Sequence, residues 1–375
     1  MKPLSSLCFS LGVLSLASFP VQAEKAGNII IGASLPLSGI NAASGQEGLS
    51  VMKAYFDSVN KAGGIEGRML QLETLDDQSD PAKTAGNAQS LIDKKAVVLF
   101  NCWGTSSCNA MLPVAIQAGV PLVGGIAGGG LMRQQQRFAF NVRASTQAEI
   151  ARMMKQMVTV GQSNIALVFQ NDSFGESGQA AAHQAFKKYN IKPAAELRID
   201  PDSGNAATVI DTLKKLPRLN GIILVASPAA TISLISQSRK TGLETQFYNL
   251  SAQASNMVIQ GLGKYTSGVV FTTLAPNPWK DGIPIVNEYQ TIYRASTGRQ
   301  DYSYLGMEVF INARVLADGL RNSIRGSSNA SLVSALDTMG LKNYGPLSVN
   351  FAPDHHEGSS YVGIAIINSR GQFVE

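Results

Sequence analysis

Short apolar runs alternate along this chain with longer stretches in which apolar positions return every three or four residues. The clearest short run, Val97–Phe100, reads as a buried parallel strand. A turn over Asn101–Gly104 follows, and Thr105, Ser106 and Ser107 begin a helix that reaches Ala118. Upstream, Asn28–Leu35 is a strand. A helix starts near Gln46 with Leu49, Met52, Phe56 and Val59 on one face, and it stops at Gly63-Gly64. Met69–Leu75 is a strand, and Asp80-Pro81 opens a helix with Asp as the cap and Pro at the first position. Val120–Val123 and Arg137–Arg143 are further strands.

A second series repeats the alternation. Helices are predicted at Ala148–Val160, Ser177–Tyr189, Ala206–Leu216 and Ala229–Thr241. Strands between and after them fall at Ile165–Phe169, Ala194–Ile199, Gly221–Ala226, Gln246–Leu250 and Gly268–Leu274. An irregular segment, Ala275–Trp279, then reads as a crossover, followed by helices at 284–295, 303–322 and 329–338. The chain ends in strands Leu347–Phe351 and Tyr361–Asn368, as if returning to a domain it had left. Alternation of this kind marks an α/β fold with parallel sheets covered on both faces.

In open sheets of this class, ligands sit beyond the carboxyl ends of the strands. A strand that turns into a helix there leaves backbone N–H groups unpaired, which favours a small anion. The turn after Phe100 therefore marks a ligand site against Trp103, Gly104 and Thr105; the alternative is an ordinary helix cap.

Composition narrows the function. The chain has 375 residues, enough for two domains, with 45% hydrophobic and 15% charged residues, as in a globular protein. A formal charge of +5 without Lys/Arg runs gives no footprint for nucleic acid. Residues 1–23 read as a cleaved signal peptide: Lys2, the apolar stretch Leu7–Phe19, and Val21-Gln22-Ala23. Cys8 lies inside it. The remaining cysteines, Cys102 and Cys108, flank the ligand turn at a spacing that suits either a disulfide in an exported protein or two buried thiols.

Catalytic and metal signatures do not appear. The glycine-rich segment Gly124–Gly130 lacks a P-loop lysine, and Gly175-Glu176-Ser177-Gly178 lacks the spacing of a nucleophile elbow. His183 falls in a helix, and His355 and His356 fall in a late, solvent-exposed turn without a third metal ligand. Neither a metal nor a cofactor is expected.

Segments spread over the whole mature chain resemble the type I periplasmic binding proteins, close to the Leu/Ile/Val-binding group of ABC transporters. They include IIIGASLPLSG (29–39), NKAGGIEGR (60–68), DDQSDPAK (76–83), GVPLVGG (119–125), NDSFGESG (171–178), TGLETQF (241–247) and MEVFINARVLADGL (307–320). The resemblance implies two Rossmann-like lobes joined by a three-segment hinge and closing on a ligand in the cleft. One lobe would comprise 24–144 and 275–343, the other 145–274 and 344–375. It also implies a monomer in the periplasm with three partners: a small ligand (amino acid, amide or organic acid), an ABC permease and its ATPase. A ligand-sensing partner of a membrane receptor would share this fold, and an enzyme on the same scaffold is the distant alternative.

The same resemblance assigns site residues. Trp103, Gly104, Thr105 and Ser106, with Ala127 and Gly128 from the next loop, would hold a carboxylate, Thr105 by its hydroxyl. Gly128 stands where relatives carry a second hydroxyl. Phe174 matches an aromatic cleft residue, Ser44 and Ser227 replace aromatic ones, and Gln147 replaces an acidic one. Ser251 stands where amino-acid binders place the carboxylate that pairs with the ligand ammonium. A buried ammonium without that partner costs roughly 3–5 kcal/mol. Either Asp172 or Glu308 serves instead, or the ligand has no amino group; Glu308 reads first as a hinge-side ion-pair partner.

Overall fold

The computed structural model describes residues 27–323 and 328–375; the expected signal peptide lies outside them. Strand β1 (Ile29–Leu35) leads into α1 (Ala42–Lys61), β2 (Leu70–Asp76), α2 (Pro81–Asp93), β3 (Val98–Phe100), α3 (Thr105–Ala118), β4 (Leu122–Val123) and β5 (Ala139–Phe140). These strands form one parallel sheet in the order β2-β1-β3-β4-β5. β3 is buried at every position because helices cover both sheet faces, which is why its sequence is continuously apolar.

The chain then crosses to a second body through α4 (Thr146–Thr159), β6 (Ile165–Gln170), α5 (Ser173–Lys188), β7 (Ala195–Ile199) and α6 (Ala206–Lys214). β8 (Gly221–Val225), α7 (Pro228–Lys240), β9 (Gln246–Asn249), α8 (Asn256–Leu262) and β10 (Val270–Thr273) continue it. It crosses back for α9 (Pro284–Thr297), α10 (Tyr304–Asn322), α11 (Asn329–Asp337) and the hairpin β11 (Gly340–Tyr344)–β12 (Leu347–Phe351). The last crossing brings β13 (Gly363–Ile367) and β14 (Phe373–Val374) onto the second sheet, whose order is β14-β13-β10-β9-β8-β6-β7. Only β13 runs against the other strands there, pairing antiparallel with β10 and β14.

Each sheet carries its own apolar core on both faces, and α9, α10 and α11 pack into the core of the first lobe. The last boundary differs from the expected one. Leu347, Val349 and Phe351 alternate inward into the first core, so the hairpin stays with the first lobe and the chain leaves it only after Phe351. The two-residue turn Gly345-Pro346, with Gly345 at φ +77°, makes that hairpin possible.

A second expectation is corrected at the same edge. His355 is exposed, but His356 is not: its ring stacks on Phe140 with centroids 4.0 Å apart. Its two nitrogens meet the Gln136 carbonyl at 2.9 Å and the Asp337 carboxylate at 2.8 Å. Phe140 offers an aromatic face at the last strand of the sheet, and the ring closes over it.

Candidate ligand site between the two lobes

The turn after β3 begins at Asn101, held in the left-handed region at φ +52°, and ends at Gly104, φ +88°. Gly104 occupies the N-cap of α3 and has no side chain with which to cap it. Cys102 and Cys108 are joined as a disulfide across this turn, their Cα atoms 5.3 Å apart. A Cβ on Gly125 would come within 2.8 Å of Cys102 Sγ, so the neighbouring loop lies flat against the bridge. The Trp103 ring lies against α1, where a Cβ on Gly48 would meet it at 2.6 Å.

A cavity of about 430 Å³ opens between this turn and the second lobe. Of the residues named from the sequence, Trp103, Gly104, Thr105, Ser106, Ala127, Gly128, Phe174 and Ser227 line it. Three predicted residues lie elsewhere. Ser44 is buried within α1, and Ile40 and Asn41 reach the cavity in its place. Gln147 is exposed and donates to Gln184 at 2.7 Å. Its neighbour Thr146 faces the cavity, since adjacent helical residues point about 100° apart. Ser251 is buried behind the wall, where its hydroxyl accepts from Arg143 Nη2 at 2.6 Å.

The glycine at 128 has a steric reason. Its carbonyl accepts the Thr146 amide at 2.7 Å, and a Cβ there would stand 2.2 Å from Thr146 Oγ1. The hydroxyl at that point of the cavity is therefore supplied by the opposite lobe. Thr105 is 1% exposed and Thr146 2%; Thr105 Oγ1 is buried with no partner among the described residues.

Sequence reasoning missed the ionic wall behind the cavity. Arg143 Nη2 donates to Glu149 Oε1 at 3.2 Å, and its Nε stands 3.3 Å from Glu308. Glu149 Oε2 also accepts the Ser251 amide at 2.8 Å and the Thr272 hydroxyl. Burial pushes the Glu308 carboxyl above its usual range, while Arg143 draws it down and Glu149 pushes it up. Glu308 is thus the ion-pair partner expected of it and does not line the cavity. Arg133 ties the site loop to the first crossover by donating to the carbonyls of Ala127, Arg143 and Ala144. The rule that singled out Thr105, a polar residue at a helix start beyond a strand end, also points to Thr146 and Asp172.

Asp172 caps α5, taking the amides of Phe174 and Gly175, each at 3.1 Å. Its second oxygen accepts Gln170 Nε2 at 2.7 Å and, across the cleft, the Ser106 hydroxyl at 3.2 Å. Ser106 also meets Ser173 at 2.9 Å, so the two lobes are in contact beside the cavity.

The sequence matches the family model described as periplasmic binding protein over residues 28–372. The chain belongs to this family. Among curated relatives of this periplasmic binding protein is a Leu/Ile/Val-binding protein homolog from Brucella suis biovar 1. It is 26% identical over 362 residues, covering 88% of this chain and 85% of the relative. A solved structure of a possible leucine/isoleucine/valine-binding protein from Rhodopirellula baltica superposes with a TM-score of 0.87 at 25% identity, covering 96% and 98% of the two chains. The leucine-binding protein LivK from Thermotoga maritima shares the fold, with a TM-score of 0.79 at 16% identity over 92% and 97%. The family and these neighbours are solute-binding proteins, not enzymes. Among the described residues no helix is long and apolar enough to cross a membrane, and no cluster of three or more His, Cys, Asp or Glu could hold a metal ion.

Proposed function

We propose that this chain is the periplasmic solute-binding component of an ABC importer. It takes a small carboxylate-bearing solute into the cavity between its lobes and delivers it to a membrane permease driven by an ATPase. The uncapped start of α3 carries this reading. The amides of Thr105, Ser106 and Ser107 have no acceptor among the described residues, and the Thr105 hydroxyl beside them is buried and unpartnered. A carboxylate placed there would satisfy donors to which the protein itself offers no acceptor. The helix dipole favours the same charge. The three chain crossings between lobes suit closure about a hinge. Homologues named for amino-acid or Leu/Ile/Val binding support a ligand of that size, and the leader read in residues 1–23 supports export to the periplasm.

Thr105→Ala tests the reading. A hydrogen bond to a charged group contributes about 1.5–3 kcal/mol, so the substitution should weaken binding of any carboxylate ligand by roughly tenfold to a hundredfold in calorimetry. An unchanged Kd would place the ligand elsewhere.

A further inference from the structure

The cavity wall contains two carboxylates, Asp172 and Glu149, and one cation, Arg143. Both carboxylates are already engaged by the protein. Asp172 accepts two bonds on each oxygen, from Phe174 and Gly175 on one and from Gln170 and Ser106 on the other. A carboxylate offers about four acceptor positions, so none is left for a ligand. Glu149 accepts three bonds, one of them from the Arg143 guanidinium that it shares with Glu308. Glu308 lies outside the cavity altogether.

Donors show the opposite state. The first three amides of α3 and Thr105 Oγ1 lack acceptors, and Arg143 Nη1 has none among the described residues. The buried acceptors left over in the lining are neutral: Asn41 Oδ1 and Gln253 Oε1 have no donor, and Gln253 is fixed in orientation because its Nε2 donates to the Ala226 carbonyl at 2.7 Å. Trp103, Ile126, Phe174 and Leu250 make much of the remaining surface apolar.

We infer that the ligand is a carboxylate with an apolar body and no ammonium group, such as a 2-oxo or other deaminated acid. This rests on the solute-binding reading above and sharpens it. The anion meets α3 and Thr105, and a neutral donor such as a hydroxyl or amide N–H satisfies Gln253. An ammonium in this cavity would be desolvated with Asp172 fully bonded and Glu149 held against Arg143.

Matched pairs decide the matter: leucine against 4-methyl-2-oxopentanoate, and phenylalanine against phenylpyruvate, titrated calorimetrically into the full chain and its Thr105→Ala variant. The expected result is that the acid without the amino group binds at least about 100-fold more tightly in one pair or both, and that Thr105→Ala weakens it. Amino acids binding as tightly or more tightly in both pairs would overturn the inference. If Thr105→Ala then weakened them too, the solute-binding reading would still stand. Binding by no member of either pair would overturn both.

Discussion

On the first wall of the cavity, β3 runs through Asn101 to Gly104, and the opening amides of α3 find no acceptor. On the second wall, β6 runs to Asp172, whose carboxylate takes the opening amides of α5. Two further helices of the second lobe close themselves in the same way, α4 with Ser145 and α7 with Ser227. Both walls use one supersecondary unit, a buried strand followed by a helix. The residue at the cap decides whether the helix end receives a ligand or holds the protein together. Glycine leaves the end open; aspartate or serine closes it.

The strongest way to break this contrast is Arg143→Ala. Glu149 and Glu308 would then share a buried space without their cation, at a cost of about 3–5 kcal/mol. Thermal denaturation should show Tm lower by several degrees. An unchanged Tm would show that the second wall does not depend on its guanidinium.

The next effect concerns a second contact between lobes. Glu47 on α1 accepts the Asn256 amide at the start of α8, at 3.0 Å, and the Ser303 hydroxyl. Burial pushes its carboxyl from 4.5 up to about 7, against the pull of those two donors; Asp301 adds to the rise and Arg299 opposes it. The folded chain therefore holds this proton more tightly than the unfolded chain. Stability contributed by Glu47 is full below about pH 4.5, falls as the pH rises to about 7, and is flat above, a change of about 3 kcal/mol. Chemical denaturation across that range should show the fall, and Glu47→Gln should remove it.

The smallest change sharpens the contrast where the walls meet. Ser106→Ala deletes the hydroxyl that reaches Asp172 and Ser173 across the cleft. A loss of about 1 kcal/mol from the closed form should weaken ligand binding about fivefold. A scattering profile of the ligand-free variant should broaden in step; no change in either would show that this hydroxyl does not hold the lobes together.

Much of this was readable along the chain. The strand, turn and helix from Val97 to Ala118 are local features, set by an apolar run, a glycine and a small-residue helix start. The disulfide spans only that turn. The ionic wall was not readable, because Arg143, Glu149 and Glu308 meet only once both lobes are folded. Gln147 comes from the resemblance alone, and position in sequence does not give the rotation of the helix, which turns Thr146 to the cavity instead. β11 and β14 escaped notice because they are short and partly exposed, and such strands depend on a partner more than on their own sequence.

The disulfide separates residues six apart, and the five it encloses, Trp103 to Ser107, all border the cavity. The receptor proposed for the anion is therefore a small covalent ring, closed before any ligand arrives. Ordering that a flexible loop would undergo on binding has already taken place at oxidation. On the proposed reading, the readiness of this helix end is set by the redox history of the chain and not by its solute.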